Sequence, residues 1–119
     1  MVEEKKTRWC KIVGVTSPKD GRILSEIGVS AIGLMFYQDS DRYVSYERAK
    51  RVSDEIKSVN PSVRTVGVFV NPTSDMVGDA IAEVGVDMLQ FHGSESPSFC
   101  ANFGLTYIKS VGVDRKSVW

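Results

Sequence analysis

Residues 11–36, KIVGVTSPKDGRILSEIGVSAIGLMF, contain the pattern that decides the fold class of this chain. A short apolar run is followed by Ser17 and Pro18, then by a helical stretch, a glycine at position 28, and a second apolar run. Serine is a preferred helix cap, proline suits the first helical position, and glycine takes the left-handed conformation that ends many helices. The stretch therefore predicts one strand–helix–strand unit.

The same unit recurs along the rest of the chain. Five apolar runs lie near residues 10–15, 31–36, 65–70, 88–91 and 107–111. They are rich in Val, Ile and Phe and alternate poorly, which is typical of strands that are buried on both faces. The predicted helix caps are Ser17, Ser45, Ser74 and Ser96, and the predicted exits are Gly28, Gly85 and Gly104. Alternating strands and helices predict a parallel α/β sheet, either an open doubly wound sheet or part of a closed barrel.

Composition limits the classes of partner. Lys plus Arg and Asp plus Glu number 15 each among 119 residues, so nothing favours a nucleic-acid partner. The charged N-terminus is not a signal peptide, and no run of eighteen apolar residues predicts a membrane span. Cys10 and Cys100 are too few for a disulfide framework or a zinc site. We expect a reduced, cytoplasmic protein without a metal, with Cys100 in the core.

Five segments, in register, resemble the phosphoribosylanthranilate isomerase family of tryptophan biosynthesis. They are KIVGVTSPKDG (11–21), GLMFYQDSDRYVS (33–45), VGVFVN (66–71), LQFHGSESPSFC (89–100) and IKSVGV (108–113). The resemblance implies a partial TIM (βα)8 barrel, with about (βα)4 plus a fifth parallel strand. It also implies one truncated domain over residues 1–119, with a polar N-terminal arm (1–9) and a C-terminal tail (114–119).

The family's reaction is an Amadori rearrangement of N-(5-phosphoribosyl)anthranilate. Its base is a cysteine in a K-I-C-G motif at the end of the first strand, and Val13 stands at that position here. Cys10 is a poor substitute, because three residues along a strand lead to the opposite face, about 10 Å away. The family's acid ends the sixth strand and its phosphate loops follow the seventh and eighth, beyond the five strands predicted here. We therefore expect no catalytic residue and no isomerase activity from this chain alone.

The resemblance leaves part of a substrate-binding site. Arg42 matches an arginine that contacts the anthranilate carboxylate; the alternative is a solvated loop charge neutralised by Asp39 and Asp41. His92 would lie at the carboxyl end of the fourth strand, and we favour a loop-shaping role for it over a catalytic one. Gln90 has similar status. No cofactor is implied.

Two functions remain open at this point. The first is a folded, inactive isomerase homologue with weak affinity for an anthranilate-like phosphorylated small molecule. The second is a self-assembling or partner-dependent half-barrel-like module without a small-molecule function, because exposed strand edges tend to pair. The chain would then be a homodimer, or a monomer with covered edges. A fragment of a longer enzyme is a further alternative that the sequence leaves open.

Overall fold

The computed structural model describes residues 9–110, which form one parallel sheet with helices on one side. Three predicted parts lie outside the described residues: the tail (114–119), most of the arm (1–9), and Val111 of the fifth apolar run. The elements in chain order are β1 (Lys11–Val13), α1 (Pro18–Ile27), β2 (Ala31–Met35), α2 (Tyr46–Val59), β3 (Arg64–Phe69), α3 (Ser74–Asp79), β4 (Met88–Phe91), α4 (Pro97–Cys100) and β5 (Tyr107–Lys109).

The strand order confirms the predicted α/β fold. The five strands pair in the order β1-β2-β3-β4-β5, and every pair is parallel. Each strand thus lies beside its successor, as in a barrel, whereas in a doubly wound sheet the order of the strands reverses partway across the sheet. The carboxyl ends of all five strands consequently meet at one edge of the sheet.

Three of the four predicted helix caps are confirmed. The hydroxyl oxygens of Ser17, Ser45 and Ser96 each accept a hydrogen bond from the backbone N–H three residues later. The prediction for Ser74 was wrong, because Thr73 caps α3 and accepts from the Met76 N–H. Ser74 is instead the first residue of that helix.

The helix ends agree with the predicted exits and add one unpredicted feature. The three exit glycines have φ of 91°, 77° and 74°, in the left-handed region. Before the second of them, α3 widens into a π-helical turn over Ala80–Val84. The fourth helix is short, and a 3₁₀ turn over Ala101–Phe103 completes it.

Two apolar clusters lie on opposite sides of the sheet. The larger one lies between the strands and the helices, and it includes Cys100, as predicted. Its central side chains are Phe36, Phe69 and Phe91, whose rings follow one another across β2 to β4 at centroid distances of 5.5 and 5.9 Å. The smaller cluster lines the side away from the helices, here called the inner face, and contains Ala31, Val66, Val68 and Met88. Burial on both sides explains why the strands alternate so poorly in sequence.

The structure also bears on membrane association. None of the helices within residues 9–110 has the length and apolar character that a transmembrane span requires.

Candidate active site at the carboxyl edge of the sheet

Val13 ends β1 and packs against the inner-face cluster. Side chains alternate along a strand, so Lys11 shares the inner face with Val13. Val13 pairs in register with Gly33 of β2, and its methyl carbons lie so close to Gly33 that a Cβ there would meet one at 3.0 Å. An alkyl side chain with no proton acceptor therefore fills the position that the resemblance gives to the family's base.

Arg42 lies directly beside this position. Its guanidinium Nη1 donates to the Gly14 carbonyl oxygen over 3.5 Å, and its Cγ covers the glycine so closely that an added Cβ would lie 3.0 Å away. Gly14 has a φ of 97°, which L side chains rarely adopt, so glycine is required here for two reasons. Arg42, Val13 and Gly14 share one open cavity of about 260 Å³ with Asp20 and neighbouring apolar side chains.

The alternative interpretation of Arg42 is a solvated loop charge, with Asp39 and Asp41 close enough to neutralise it. Within residues 9–110, the structure contains no ion pair between Arg42 and either carboxylate. A second hydrogen bond in the same loop joins the Arg42 backbone N–H to the Ser40 hydroxyl at 3.1 Å and holds the turn. The arginine side chain is thus directed toward the end of β1 rather than toward its neighbouring acids.

Gln90 and His92 belong to a hydrogen-bonded series that crosses the inner face. The Lys11 ammonium donates to Gln90 Oε1, although the two residues are far apart in sequence. Gln90 Nε2 lies 2.9 Å from His92 Nε2 and donates to the Ser110 hydroxyl at 3.2 Å. Burial lowers the pKa of Lys11. Partial burial and the Lys11 charge lower the pKa of His92, although Glu95 acts in the opposite direction.

Glu95 connects the loop after β3, the loop after β4 and strand β5 at the carboxyl edge. Its side chain is 2% exposed, and Oε1 accepts from the Lys109 ammonium at 2.8 Å. Oε2 accepts from the backbone N–H groups of Asn71 at 2.7 Å and Gly93 at 3.2 Å. Burial by itself raises the pKa of Glu95, but the hydrogen bonds from Lys109 and the two amides lower it overall. We call this set of four residues the Glu95 network.

Asn71 makes a second connection between the same loops. It adopts the left-handed conformation with φ of 47°, which asparagine tolerates better than most residues. Its Oδ1 accepts from the Ser94 N–H at 2.8 Å and from the Ser94 hydroxyl at 3.2 Å. A Cβ on Gly93 would lie only 2.4 Å from that oxygen, so the approach of the two loops depends on glycine. The loops that follow β3 and β4 are therefore fixed relative to each other.

We expect the Glu95 network to make folding sensitive to acid. A carboxylate whose folded-state pKa is lowered stabilises the protein above its unfolded pKa, and this stability is lost as the pH falls through the folded value. Glu95→Gln should reduce the free energy of unfolding by roughly 1–3 kcal/mol at pH 7, since it leaves buried partners unsatisfied. Urea unfolding between pH 7 and pH 3 should show the variant losing less stability on acidification than the wild type. Equal pH dependence of the two proteins would contradict this role.

Sequence reasoning singles out Arg42, Gln90 and His92 but misses two residues, Lys11 on the inner face and Glu95 at the edge. Period-two alternation from Val13 already puts Lys11 on the inner face, so the sequence contains a signal for this residue. Glu95 precedes the Ser96 cap and was not singled out. Its role depends on contacts with Asn71 and Lys109, for which the local sequence contains no signal.

Within residues 9–110, the structure contains no group of three or more His, Cys, Asp or Glu side chains that could hold a metal ion. The polar groups on the inner face and at the edge are an arginine, two lysines, a histidine and amides, with the carboxylates of Glu95 and Asp20 beside them.

A family model described as N-(5'phosphoribosyl)anthranilate (PRA) isomerase matches residues 10–117. The chain belongs to the phosphoribosylanthranilate isomerase family. Curated isomerases from Nitrosomonas eutropha and Azotobacter vinelandii are 46% and 43% identical over 103 residues. That match covers 87% of this chain and 48% of each relative, so the chain spans about half the length of the curated isomerases it matches.

Solved isomerase structures confirm the partial barrel. The isomerase from Thermotoga maritima superposes with a TM-score of 0.78 at 34% identity, covering 92% of this chain and 53% of the solved one. A second isomerase structure, in complex with reduced 1-(o-carboxyphenylamino)-1-deoxyribulose 5-phosphate, has a TM-score of 0.78 at 35% identity and is covered to 56%. The five strands of this chain thus correspond to about half of an isomerase barrel.

Proposed function

We propose that this chain forms the anthranilate-binding part of a phosphoribosylanthranilate isomerase barrel and is itself catalytically inactive. The ligand class is an anthranilate-like phosphorylated small molecule, bound weakly. The observation that carries the proposal is the placement of Arg42 against Gly14, beside Val13, at the carboxyl end of β1.

The arginine supports binding of a carboxylate. A guanidinium can donate two parallel hydrogen bonds to a planar carboxylate, and such bonds are roughly twice as strong as neutral ones. Arg42 has no ion-pair partner among the described residues, so its charge is available to a ligand. The related isomerase solved with a carboxyphenylamino sugar phosphate supports the same ligand class.

Val13 supports the absence of catalysis. Proton transfer by a positioned side chain contributes roughly 10²–10⁴-fold to rate, and a branched alkyl group cannot accept a proton. The Val13 methyl carbons pack against Gly33 of the neighbouring strand, so the group at this position is purely alkyl. Because Val13 lies inside the chain, its effect on catalysis does not depend on where the chain ends.

Binding of the reduced product analogue, measured by isothermal titration calorimetry, tests the proposal. Arg42→Ala should weaken binding by roughly 10- to 100-fold, the range for losing a hydrogen bond to a charged group. Arg51→Ala is a matched control, because it removes the same charge from an exposed position of α2. The purified chain should also show no turnover of fresh substrate. Unchanged affinity in Arg42→Ala, or turnover by the chain, would contradict the proposal.

Self-assembly is the second candidate, favoured by the edges of the sheet. Within the described range, β1 and β5 each pair with one strand only. Ile12 of β1 is 37% exposed and Ile23 of α1 is 43% exposed, so one flank of the sheet presents apolar side chains. Light scattering on the calorimetry samples separates the two candidates: a stable mass of two copies without ligand binding favours the second.

A further inference from the structure

Lys11 determines which atoms donate and which accept in the hydrogen-bonded series on the inner face. A lysine ammonium has three donors and no acceptor, so the Gln90 atom that faces Lys11 must be the amide oxygen. The Gln90 amide nitrogen then faces His92 and Ser110, at 2.9 and 3.2 Å. An amide nitrogen donates and does not accept. Both His92 and Ser110 must therefore accept from it.

The imidazole of His92 is the next member of the series. The nitrogen that faces Gln90 is Nε2, so it must present a lone pair and carry no proton. We infer that Lys11, acting through the Gln90 amide, holds His92 as the neutral imidazole with its single proton on Nδ1. Lys11 and Gln90 are thus positioning residues, and the histidine is fixed in one of its two neutral forms.

Charged groups on three elements surround the ring. Lys11 approaches from β1 and Lys109 from β5, and both oppose a second proton on the imidazole. Glu95, in the loop after β4, favours that proton. Its carboxylate, however, already accepts from Lys109 and two backbone amides. Partial burial is the largest cause that lowers the pKa of His92, and with these charges the net shift is downward, in agreement with the neutral form required by the hydrogen bonds.

This assignment gives His92 a defined chemical role. With Nε2 occupied by Gln90, the ring cannot serve as a general base in place of the cysteine that Val13 replaces. Its remaining polar group is the Nδ1–H, a hydrogen-bond donor suited to a carboxylate, phosphate or carbonyl oxygen. The role of the Nδ1–H as a donor to a ligand rests on the proposed function. The proton assignment itself does not, because it concerns the ligand-free chain.

Long-range ¹H–¹⁵N NMR of the ligand-free chain tests the assignment directly. His92 is the sole histidine of the sequence, so its ring nitrogens give the only histidine signals in the spectrum. At neutral pH we expect Nδ1 to be protonated and Nε2 to be unprotonated. A free imidazole prefers the opposite arrangement, so a wild-type spectrum with the proton on Nε2 overturns the inference without any variant.

Three variants test how the proton is held. Gln90→Glu places an acceptor-only group opposite Nε2, so the proton should move to Nε2 and the pKa of His92 should rise. Gln90→Leu keeps Lys11 but removes the hydrogen bond to His92. The ring should then show the mixture of Nδ1- and Nε2-protonated forms that a free imidazole has. Lys11→Met should allow the Gln90 amide to rotate, so both the pKa of His92 and the population protonated on Nε2 should increase.

The Lys11→Met result separates a hydrogen-bonded connection from simple charge repulsion. If Lys11 acted by charge repulsion alone, Lys11→Met would raise the pKa of His92 but leave the proton of the neutral ring on Nδ1. That outcome overturns the role of Gln90 as a connection. The ¹H–¹⁵N backbone spectrum of each variant verifies its fold. Failure of ligand binding in calorimetry, with the expected ring signals intact, would refute the proposed function but not this inference.

Discussion

A full barrel built from this chain is expected to isomerise phosphoribosylanthranilate at least about 100-fold faster when Val13 is replaced by cysteine. The barrel is a chimera in which the fifth helix and three further βα units come from the Thermotoga maritima isomerase, whose fold superposes on this chain with a TM-score of 0.78. The gain follows because a thiol at the end of β1 can ionise and accept a proton, whereas the valine side chain cannot. Steady-state kcat/KM of the two chimeras with fresh substrate gives the ratio.

Two controls make the comparison specific. Val13→Ala in the chimera opens the same space without supplying a base, and it should give no increase. Val13→Cys in the 119-residue chain alone should also give no turnover, because the resemblance places the family's acid on the sixth strand. A chimera whose activity is the same with and without the Val13→Cys substitution would show that another group is the base.

Phe91→Ala is expected to destabilise the fold by about 3–5 kcal/mol, the usual cost of removing a buried aromatic ring. Phe91 is fully buried, and its ring lies 5.9–6.3 Å from four other rings. The four rings belong to β3, to α4, to the 3₁₀ turn that completes α4, and to β5. Removing the Phe91 ring therefore loosens the packing of half of the sheet. Small domains are stable by only about 5–15 kcal/mol, so the loss is a large share of the total.

Urea unfolding followed by circular dichroism measures the loss. Phe91→Leu is the matched control, because it keeps most of the apolar volume and should cost less than about 1.5 kcal/mol. A loss below about 1 kcal/mol for the alanine variant would mean that the aromatic row is not a main source of stability. An unfolded alanine variant beside a folded leucine variant agrees with the expectation.

The elements that sequence predicted well are those set by local chemistry. A serine followed by a proline, or a glycine after an apolar helical face, acts within one turn of backbone, and the structure confirms these positions. Thr73 and Ser74 show the limit of such reasoning. Both are hydroxyl residues that can cap a helix, and only the extended backbone of Thr73, with ψ of 163°, decides between them. The π-helical turn likewise depends on how the helix packs.

The site was predicted only in part, for a reason of sequence distance. Resemblance to a family located Arg42 and His92 because those positions lie within recognisable segments. Other contacts that build the site join residues remote in sequence: Lys11 meets Gln90 across 79 positions, and Asn71 meets Glu95 across 24. Such contacts exist only once the sheet has curved, so no single segment could have indicated them.

The Glu95 network has a consequence for how the protein is made. A ribosome delivers the chain from its N-terminus, so Lys109 leaves the exit tunnel well after Asn71 and Glu95. Until it arrives, the Glu95 carboxylate has amide donors but no cation, and it remains better solvated outside the fold. The loops after β3 and β4 are therefore expected to take their final positions late in synthesis, after the strands that carry them have already paired.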